Sequence, residues 1–356
     1  MTVEWTSGDL TGEPTILAGD VGGTNTSIAY MTQEGDSFRM LLRCVLATDE
    51  LGGIQEAIDA AQAEAAREPK LGSPEVCCFT AAGPVHDNVC RLTNVDWDID
   101  GNELSEALGI PTVVINDFTG ISYGIPLLDV RNPERILPLP QPDGTLPAQR
   151  GTRKAVVGAG TGLGVGHVSF EHGRYVAFPS EGGHSDFAPF DDETRGMHQF
   201  LQEHVGAQPD AEALISGPGI SRIFQYVVST GDSGTADEAV RRIQDTPEDD
   251  RPRLISEAAD SSPACMRVMD LFVRLYGRFA GTMALTFLPE AGLYLAGGIV
   301  TKNERLFLED SRFMTSFTRH PNAKMQRLLR RIPVYVIRDY TVSLYGAANG
   351  ARSLLR

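Results

Sequence analysis

The chain has 356 residues, 42% of them hydrophobic, and 31 Lys plus Arg against 47 Asp plus Glu give a net charge of −16. That length allows about two domains of roughly 100–200 residues each. The charge disfavours a polyanionic backbone, so no nucleic-acid partner is expected, and with no run of about 18 apolar residues no membrane partner is expected either.

The five cysteines, Cys44, Cys77, Cys78, Cys90 and Cys265, are odd in number and form no CxxC pair. That usage fits a reducing compartment. The first fifteen residues lack a basic start followed by an apolar core, so the expected location is cytoplasmic. A small phosphorylated ligand stays compatible with the acidic charge, because local amides and a metal ion can hold it.

From Ile16 to Tyr30 an apolar run ends in Asp20, passes Val21-Gly22-Gly23-Thr24-Asn25, and resumes at once. The pattern predicts strand, tight turn, strand. Adjacent glycines permit unusual backbone angles, so the turn can aim amides and the Thr24 and Asn25 side chains at one anion, with Asp20 placed to hold a cation. An ordinary hairpin turn is the alternative. A Walker loop is excluded, since no lysine follows a glycine in the Gly-Lys-Ser/Thr manner. The Asp-x-Gly-Gly-Thr pattern resembles the first phosphate-binding element of the sugar kinase/actin ATPase superfamily.

Arg39–Ala47 reads as a further strand and 53–67 as a helix with Ile54 and Ile58 four apart. Val76–Ala82 is a short buried strand in which Cys77 and Cys78 act as small hydrophobes. Asn94 lies among polar residues beside Trp97, either in a loop feeding a ligand or in a turn of its own backbone. Asp100 is placed to cap a helix over 102–108.

The β-branched run 111–115 ends in Asn116-Asp117-Phe118 before a helix from Thr119 to Ile125. Residues at the carboxyl end of a strand line the crevice of an open α/β sheet. Asp117 is therefore either a chemical group or a helix cap. Leu137–Pro147, with four prolines, reads as a loop or a crossing between lobes.

Ala155-Val156-Val157 leads into glycine at every second position from Gly158 to Gly166, in no GxGxxG register. An extended hairpin with such a bare face lets a phosphate or another chain segment approach closely, and phosphate is favoured over packing because glycines otherwise weaken a strand. In 181–187, Glu181, His184 and Asp186 suit hydroxyl recognition more than zinc, because the spacing is not His-Glu-x-x-His; a solvent-facing acidic loop is the alternative. Glu212 precedes a Gly-Pro-Gly turn that starts a helix over 220–228. The acidic stretch 230–253 reads as a solvated surface insertion, a loop plus a short helix, without chemistry. One or two buried helices follow over 254–288, carried by Val268, Leu271, Leu275, Phe279 and Met283. Around Gly297 and Gly298 a strand, a turn and a helix start offer amides to a nucleotide. A strand at 334–337 and a helix over 343–355 end the chain.

In this order, the segments 19–25, 92–94, 115–118, 158–164, 181–189, 214–219 and 296–300 resemble those of bacterial-type glucokinases, the branch of the hexokinase/actin superfamily without the zinc-bearing ROK signature. The resemblance spans nearly the whole chain. It implies a two-lobed α/β, ribonuclease H-like (hexokinase/actin ATPase) architecture with a cleft between a small domain, 1–115 plus about 340–356, and a large domain, 116–339. It implies transfer of the γ-phosphoryl of ATP to the 6-hydroxyl of glucose, with Asp117 as general base. Asn94, Asn116, Glu181, His184 and Glu212 would hold sugar hydroxyls together with Asp117. Asp20 would sit near Mg²⁺, through water, while Gly22, Gly23, Thr24, Asn25, Gly160, Thr161 and Gly162 cradle phosphates and Gly297 and Gly298 approach the adenosine. A homodimer is expected on the same ground. Thr26-Ser27 departs from the Ala-Arg common after Gly-Gly-Thr-Asn.

Rivals within the class are a kinase for another hexose or one using polyphosphate. Outside it stand a catalytically silent sugar sensor and an ATPase without a sugar. A sensor of this superfamily usually adds an N-terminal helix-turn-helix, for which only about fifteen residues precede the first strand.

Overall fold

The protein, described here by a computed structural model, is resolved into its elements over residues 1–6, 16–92, 95–205, 208–231 and 238–354. Two compact units share the chain: the first is Met1–Asp129 with Val168–Pro179 and Asp339–Arg356, the second Val130–His167 with Ser180–Arg338. The first unit thus runs past residue 115, and 168–179 groups with it.

In the first unit β1 (Thr2–Trp5), β2 (Ile16–Val21), β3 (Asn25–Glu34), β4 (Ser37–Ala47), β5 (Val76–Ala81) and β9 (Thr112–Asn116) make one sheet in the order β1-β4-β3-β2-β5-β9. β2, β5 and β9 run parallel, β3 pairs antiparallel with β2, and β4 pairs antiparallel with β3. The predicted strands are all here. A small second sheet joins β6 (Val85–His86), β7 (Val89–Arg91) and β8 (Asp98–Asp100). Its hairpin turns at Asp87 and Asn88, both at positive φ, a two-residue turn chemistry that was legible and unread. The Asn88 side chain then donates to Thr112 O at 3.0 Å and accepts from Val114 N at 2.7 Å. That amide secures β9 along its outer edge.

Helix α1 (Ile54–Ala65) buries Ile54 and Ile58 as their spacing predicts. Asp100 does cap α2 (Gly101–Leu108), accepting from Asn102 N and Glu103 N. α3 starts earlier than expected, at Asp117, and runs to Gly124, and its cap is Asn116. The C-terminal helix Val342–Leu354 packs on α3 through glycines: a Cβ on Gly346 would lie 1.8 Å from Gly120 O, and one on Gly124 would lie 2.2 Å from Val342 O. Only hydrogen fits between these backbones. Cys77 and Cys78 are fully buried, and no cysteine among the described residues is in a disulfide.

A second six-stranded sheet is ordered β10-β15-β14-β11-β12-β13, made of β10 (Ile136–Leu139), β11 (Lys154–Ala159), β12 (Leu163–Glu171), β13 (Arg174–Ser180), β14 (Leu293–Ala296) and β15 (Val334–Ile337); β10, β11, β14, β15 and the start of β12 belong to the second unit. β10 corrects the loop expected from Leu137 onward. It pairs antiparallel with β15 and places Pro138 opposite Tyr335. Because β10 is an edge strand, its proline leaves no central ladder bond unmade.

The helices are α4 (Asp192–Val205), α5 (Gly217–Ser229), α6 (Glu238–Gln244), α7 (Arg251–Ala258), α8 (Pro263–Phe287), α9 (Gly298–Lys302), α10 (Glu304–Leu308), α11 (Arg312–Thr318) and α12 (Ala323–Leu329). α5 begins before Ile220 because the Ser216 hydroxyl accepts from Gly219 N and Pro218 suits the first turn. Of the stretch 230–253, the part described includes α6, which buries Val240 and Ile243. α8 is the spine. Its stripe of Val268, Leu271, Leu275, Phe279 and Met283 is buried, and the Tyr276 hydroxyl donates to Val157 O at 2.9 Å, tying helix to sheet. No described helix is long and apolar enough to cross a membrane.

Candidate active site

In the first unit the carboxyl ends of three parallel strands bring the chemistry together. Asp20 stands beside Thr80 in the β2–β5 register, and Ala81 beside Asn116 in the β5–β9 register. Asp20 and Asp117 therefore flank β5 at the same end of the sheet, about 10 Å apart by the usual strand spacing. That spacing leaves room for a reacting group between carboxylates that still feel each other.

Asp20 is held on both oxygens. Thr80 Oγ1 donates to Oδ1 at 2.7 Å and Ser343 Oγ to Oδ2 at 2.6 Å. Burial raises its pKa, against the opposing pull of these hydroxyls and of the Arg43 charge. Ser27, the departure from the resembling pattern, lies opposite Asp20, and Arg43 reaches its hydroxyl at 3.5 Å. The positive charge near Asp20 thus comes from β4. Neither Ser343 nor Thr80 carried a signal in its own neighbourhood of sequence.

The turn after Asp20 is pinned from β4's end. Gly22 N donates to Asn25 O at 3.0 Å, Thr48 N to Thr24 O at 2.9 Å and Thr48 Oγ1 to Gly22 O at 2.8 Å. Gly22 and Gly23 are absent from the positive-φ residues. Space, and not unusual angles, explains glycine at 22, where a Cβ would sit 3.3 Å from Asn25 O. Gly23, Thr24 and Asn25 are exposed, with their polar groups available to an anion.

Asn116 Oδ1 caps α3 by accepting from Phe118 N at 2.9 Å, and its amide donates to Gly83 O at 3.1 Å. Asp117 Oδ1 also accepts from Phe118 N at 2.9 Å. The cap assignment thus falls to Asn116, while the Asp117 carboxylate is met by the Phe118 and Asp117 N–H groups and by the Asn116 amide. Burial, with the Asp20 charge adding to it, pushes the Asp117 pKa up to about 6 against the Phe118 N–H. A carboxylate so tuned is mostly ionised at neutral pH and basic enough to take a proton. Asn94 lies outside the described residues.

In the second unit the Gly160–Gly162 turn links β11 to β12. Gly160 N donates to Gly162 O at 2.8 Å, and Gly217 N to Gly160 O at 2.7 Å. Glu212 Oε2 accepts from Leu163 N at 2.8 Å and would meet a Cβ on Gly162 at 2.7 Å. One oxygen of Glu212 therefore braces the turn. Gly297, at φ +100°, follows β14, where a Cβ would lie 2.5 Å from Ala159 O; around Gly298 there is open space. The two glycine turns sit side by side at the carboxyl ends of the parallel strands β11 and β14, the end where α/β sheets bind ligands.

Glu181, His184 and Glu212 converge as well. His184 N donates to Glu181 O at 3.0 Å and Glu212 N to Gly183 O at 3.0 Å. His184 Nδ1 pairs with Asp210 Oδ2 at 2.9 Å. That hydrogen bond raises the His184 pKa against desolvation, and the charges of Glu212, Asp210 and Glu181 add to the rise. Asp210 was missed in the sequence, which carries it 26 positions from its partner. Nδ1–H directed at Asp210 leaves Nε2 and the carboxylates for a hydroxyl-bearing ligand.

Among the described residues no group of three or more His, Cys, Asp or Glu could hold a metal ion by itself. A lone buried carboxylate such as Asp20 fits a magnesium ion that keeps its waters and leans on substrate phosphates.

The Glucokinase family model matches residues 17–354. A curated glucokinase of Nostoc punctiforme is 33% identical over 350 residues, covering 94% of this chain and 97% of the relative. A glucokinase structure from an Antarctic psychrotroph superposes with a TM-score of 0.79 at 24% identity, covering 95% of this chain and 98% of that one. A ROK-family glucokinase from Streptomyces griseus, solved with glucose and AMPPNP, gives 0.60 at 22% identity, with 95% and 99% covered. The solved structures bear out the two-lobed α/β sugar-kinase fold.

Proposed function

Because the chain belongs to the glucokinase family, as the match to residues 17–354 establishes, we propose that it transfers the γ-phosphoryl of ATP to the 6-hydroxyl of glucose with Asp117 as the general base. The observation that carries this reading is the Asp117 carboxylate, at the carboxyl end of β9 with its pKa raised to about 6. The carboxylate accepts the 6-hydroxyl proton as the sugar oxygen attacks, and it is ionised at neutral pH when the proton arrives. Glu181, His184 and Glu212 bind the remaining hydroxyls, with Asp210 setting the orientation and charge of His184. Asn116 positions Asp117 by capping the helix that carries it, and Asn94 joins the hydroxyl-binding set.

The amides of the exposed Gly23 and Thr24 and those of Thr161 and Gly162 receive phosphate oxygens, with the Thr24 and Asn25 side chains beside them, in turns that Gly22 and Gly160 close through their own N–H groups, and Gly297 and Gly298 let the adenosine approach the backbone. Asp20 would hold Mg²⁺ through water. When bound, that ion neutralises charge on the transferring phosphate. Thr80, Ser343 and Arg43 favour the charged form of Asp20 against desolvation, and the two hydroxyls orient it. A homodimer is proposed on family resemblance, and sedimentation tests it.

The decisive experiment measures ADP and glucose 6-phosphate from purified protein with Mg-ATP and glucose, beside Asp117→Asn and a no-sugar control. Sugar-dependent turnover that the variant loses while still binding glucose supports the reading. Turnover unchanged in Asp117→Asn removes Asp117 as the base, and protein that binds no glucose overturns the sugar site.

A further inference from the structure

The sheet of the second unit has a second, chemically distinct end. Opposite the glycine turns, at the amino ends of β11, β14 and β15, lies a cavity of about 330 Å³. Arg150 reaches it four residues before β11, Glu290 three residues before β14 and Ile332 two residues before β15. These strands run parallel. β14 alone, at four residues, separates the two ends by about 13 Å, so one small ligand does not span both.

The wall opposite is α12 and the residues after it. Lys324, Arg327 and Leu328, at i, i+3 and i+4, share one face of α12 toward the cavity, and Arg331 lines it from the turn after the helix. Four cations thus surround it. Among the described residues, none of them is paired with a carboxylate. The surrounding sequence is equally one-sided: from Ser311 to Arg338 there are seven Lys or Arg and no Asp or Glu, in a chain whose net charge is −16. So local an excess of positive charge, on a concave surface, is the field of an anion site.

The other lining groups narrow the ligand. The volume falls at the small end of ligand pockets, which run from about 300 to 1,000 Å³. Leu328 and the buried Ile332 supply an apolar floor, and Glu290 supplies a carboxylate, which repels a bare anion and accepts from a ligand hydroxyl. We propose that this cavity binds a small hydroxylated phosphate monoester: Arg150, Lys324, Arg327 and Arg331 meet the phosphate, Glu290 accepts from a hydroxyl, and Leu328 and Ile332 underlie the carbon skeleton. Guanidinium groups suit a phosphate because their paired N–H groups match two of its oxygens.

Calorimetric titration of the full chain with glycerol 3-phosphate and with inorganic phosphate tests this. The expected result is saturable binding of the ester, tighter than of phosphate. Arg327→Gln with Arg331→Gln weakens it by at least about tenfold. Asp117→Asn leaves it unchanged, which separates this site from the catalytic one. Glu290→Ala, which keeps all four cations, narrows the preference for the ester over phosphate and guards against a misfolded double variant. Absence of saturable ester binding, or equal affinity in wild type and the double variant, overturns the site. Equal binding of ester and phosphate overturns the hydroxylated ligand and leaves an anion site alone.

Discussion

Ser343 Oγ donates to Asp20 Oδ2 across 2.6 Å, joining residues 323 positions apart in the chain. With Thr80 on the other oxygen, it favours the charged form of a part-buried carboxylate whose pKa desolvation raises, and it aims that group. Removing a donor from a buried charged acceptor costs about 1–3 kcal/mol. Ser343→Ala should lower kcat/KM for Mg-ATP by about tenfold, the equivalent of 1.4 kcal/mol, and raise the Mg²⁺ concentration needed for half-maximal rate. Glucose affinity should hold. Steady-state kinetics at varied Mg²⁺ check it, and a fall in glucose affinity instead would indicate a general packing defect.

Asp117 should trade stability for function. Its folded pKa, about 6, lies above the ordinary carboxylate value, so its protonated form contributes stability that is full below about pH 4 and is lost as pH rises through about 6. Asp117→Asn keeps a neutral group at every pH. At pH 7 the variant should be more stable by about 1–3 kcal/mol, and the gap should close near pH 4. Its turnover should fall by about 10²–10⁴-fold. Denaturant melts at both pH values test the sign.

The same shift sets the acid limb of catalysis. The kcat/KM of wild type should fall below an apparent pKa near 6. Because the Asp20 charge contributes to the rise, Asp20→Asn should move that limb, read in its residual activity, to lower pH. A limb that stays in place would show the two carboxylates to be uncoupled.

Gly297 and Gly298 are neighbours with different constraints. Gly297 has φ +100° and its missing Cβ would strike Ala159 O at 2.5 Å, whereas Gly298 faces open space. Gly297→Ala should cost about 2–3 kcal/mol through strain and displacement. Gly298→Ala should leave the melt nearly unchanged while weakening ATP binding if the adenosine lies there. Paired melts and ATP titrations distinguish fold from ligand contact.

His184 is raised mainly by its hydrogen bond to Asp210. Asp210→Asn should lower the His184 pKa, observable by NMR titration of the ring. The stability linked to this pair is present below the ordinary histidine value near 6.5 and is lost as pH rises through the higher folded value. The ring is 55% exposed, so solvent screens most of it. Glucose binding should weaken in Asp210→Asn, and affinity unchanged from wild type would remove Asp210 from the site.

Much of this protein is written locally. The strand that ends in Asp20, the turn at 22–25, the cap at Asp100 and the apolar stripe of α8 all depend on residues a few positions apart, and each period or punctuation can be read directly. The order of the motifs carried the family. Other features join distant positions: Ser343 with Asp20, Asp210 with His184, the Glu212 carboxylate on Leu163 N, Pro138 in an edge strand, and four cations gathered at the amino end of one sheet. Sequence patterns carry the backbone's short-range preferences, but hydrogen bonds and charge fields act through space. Which carboxylate is braced, which is left free to take a proton, and where positive charge collects in an acidic chain were decided only when tertiary packing brought these elements together.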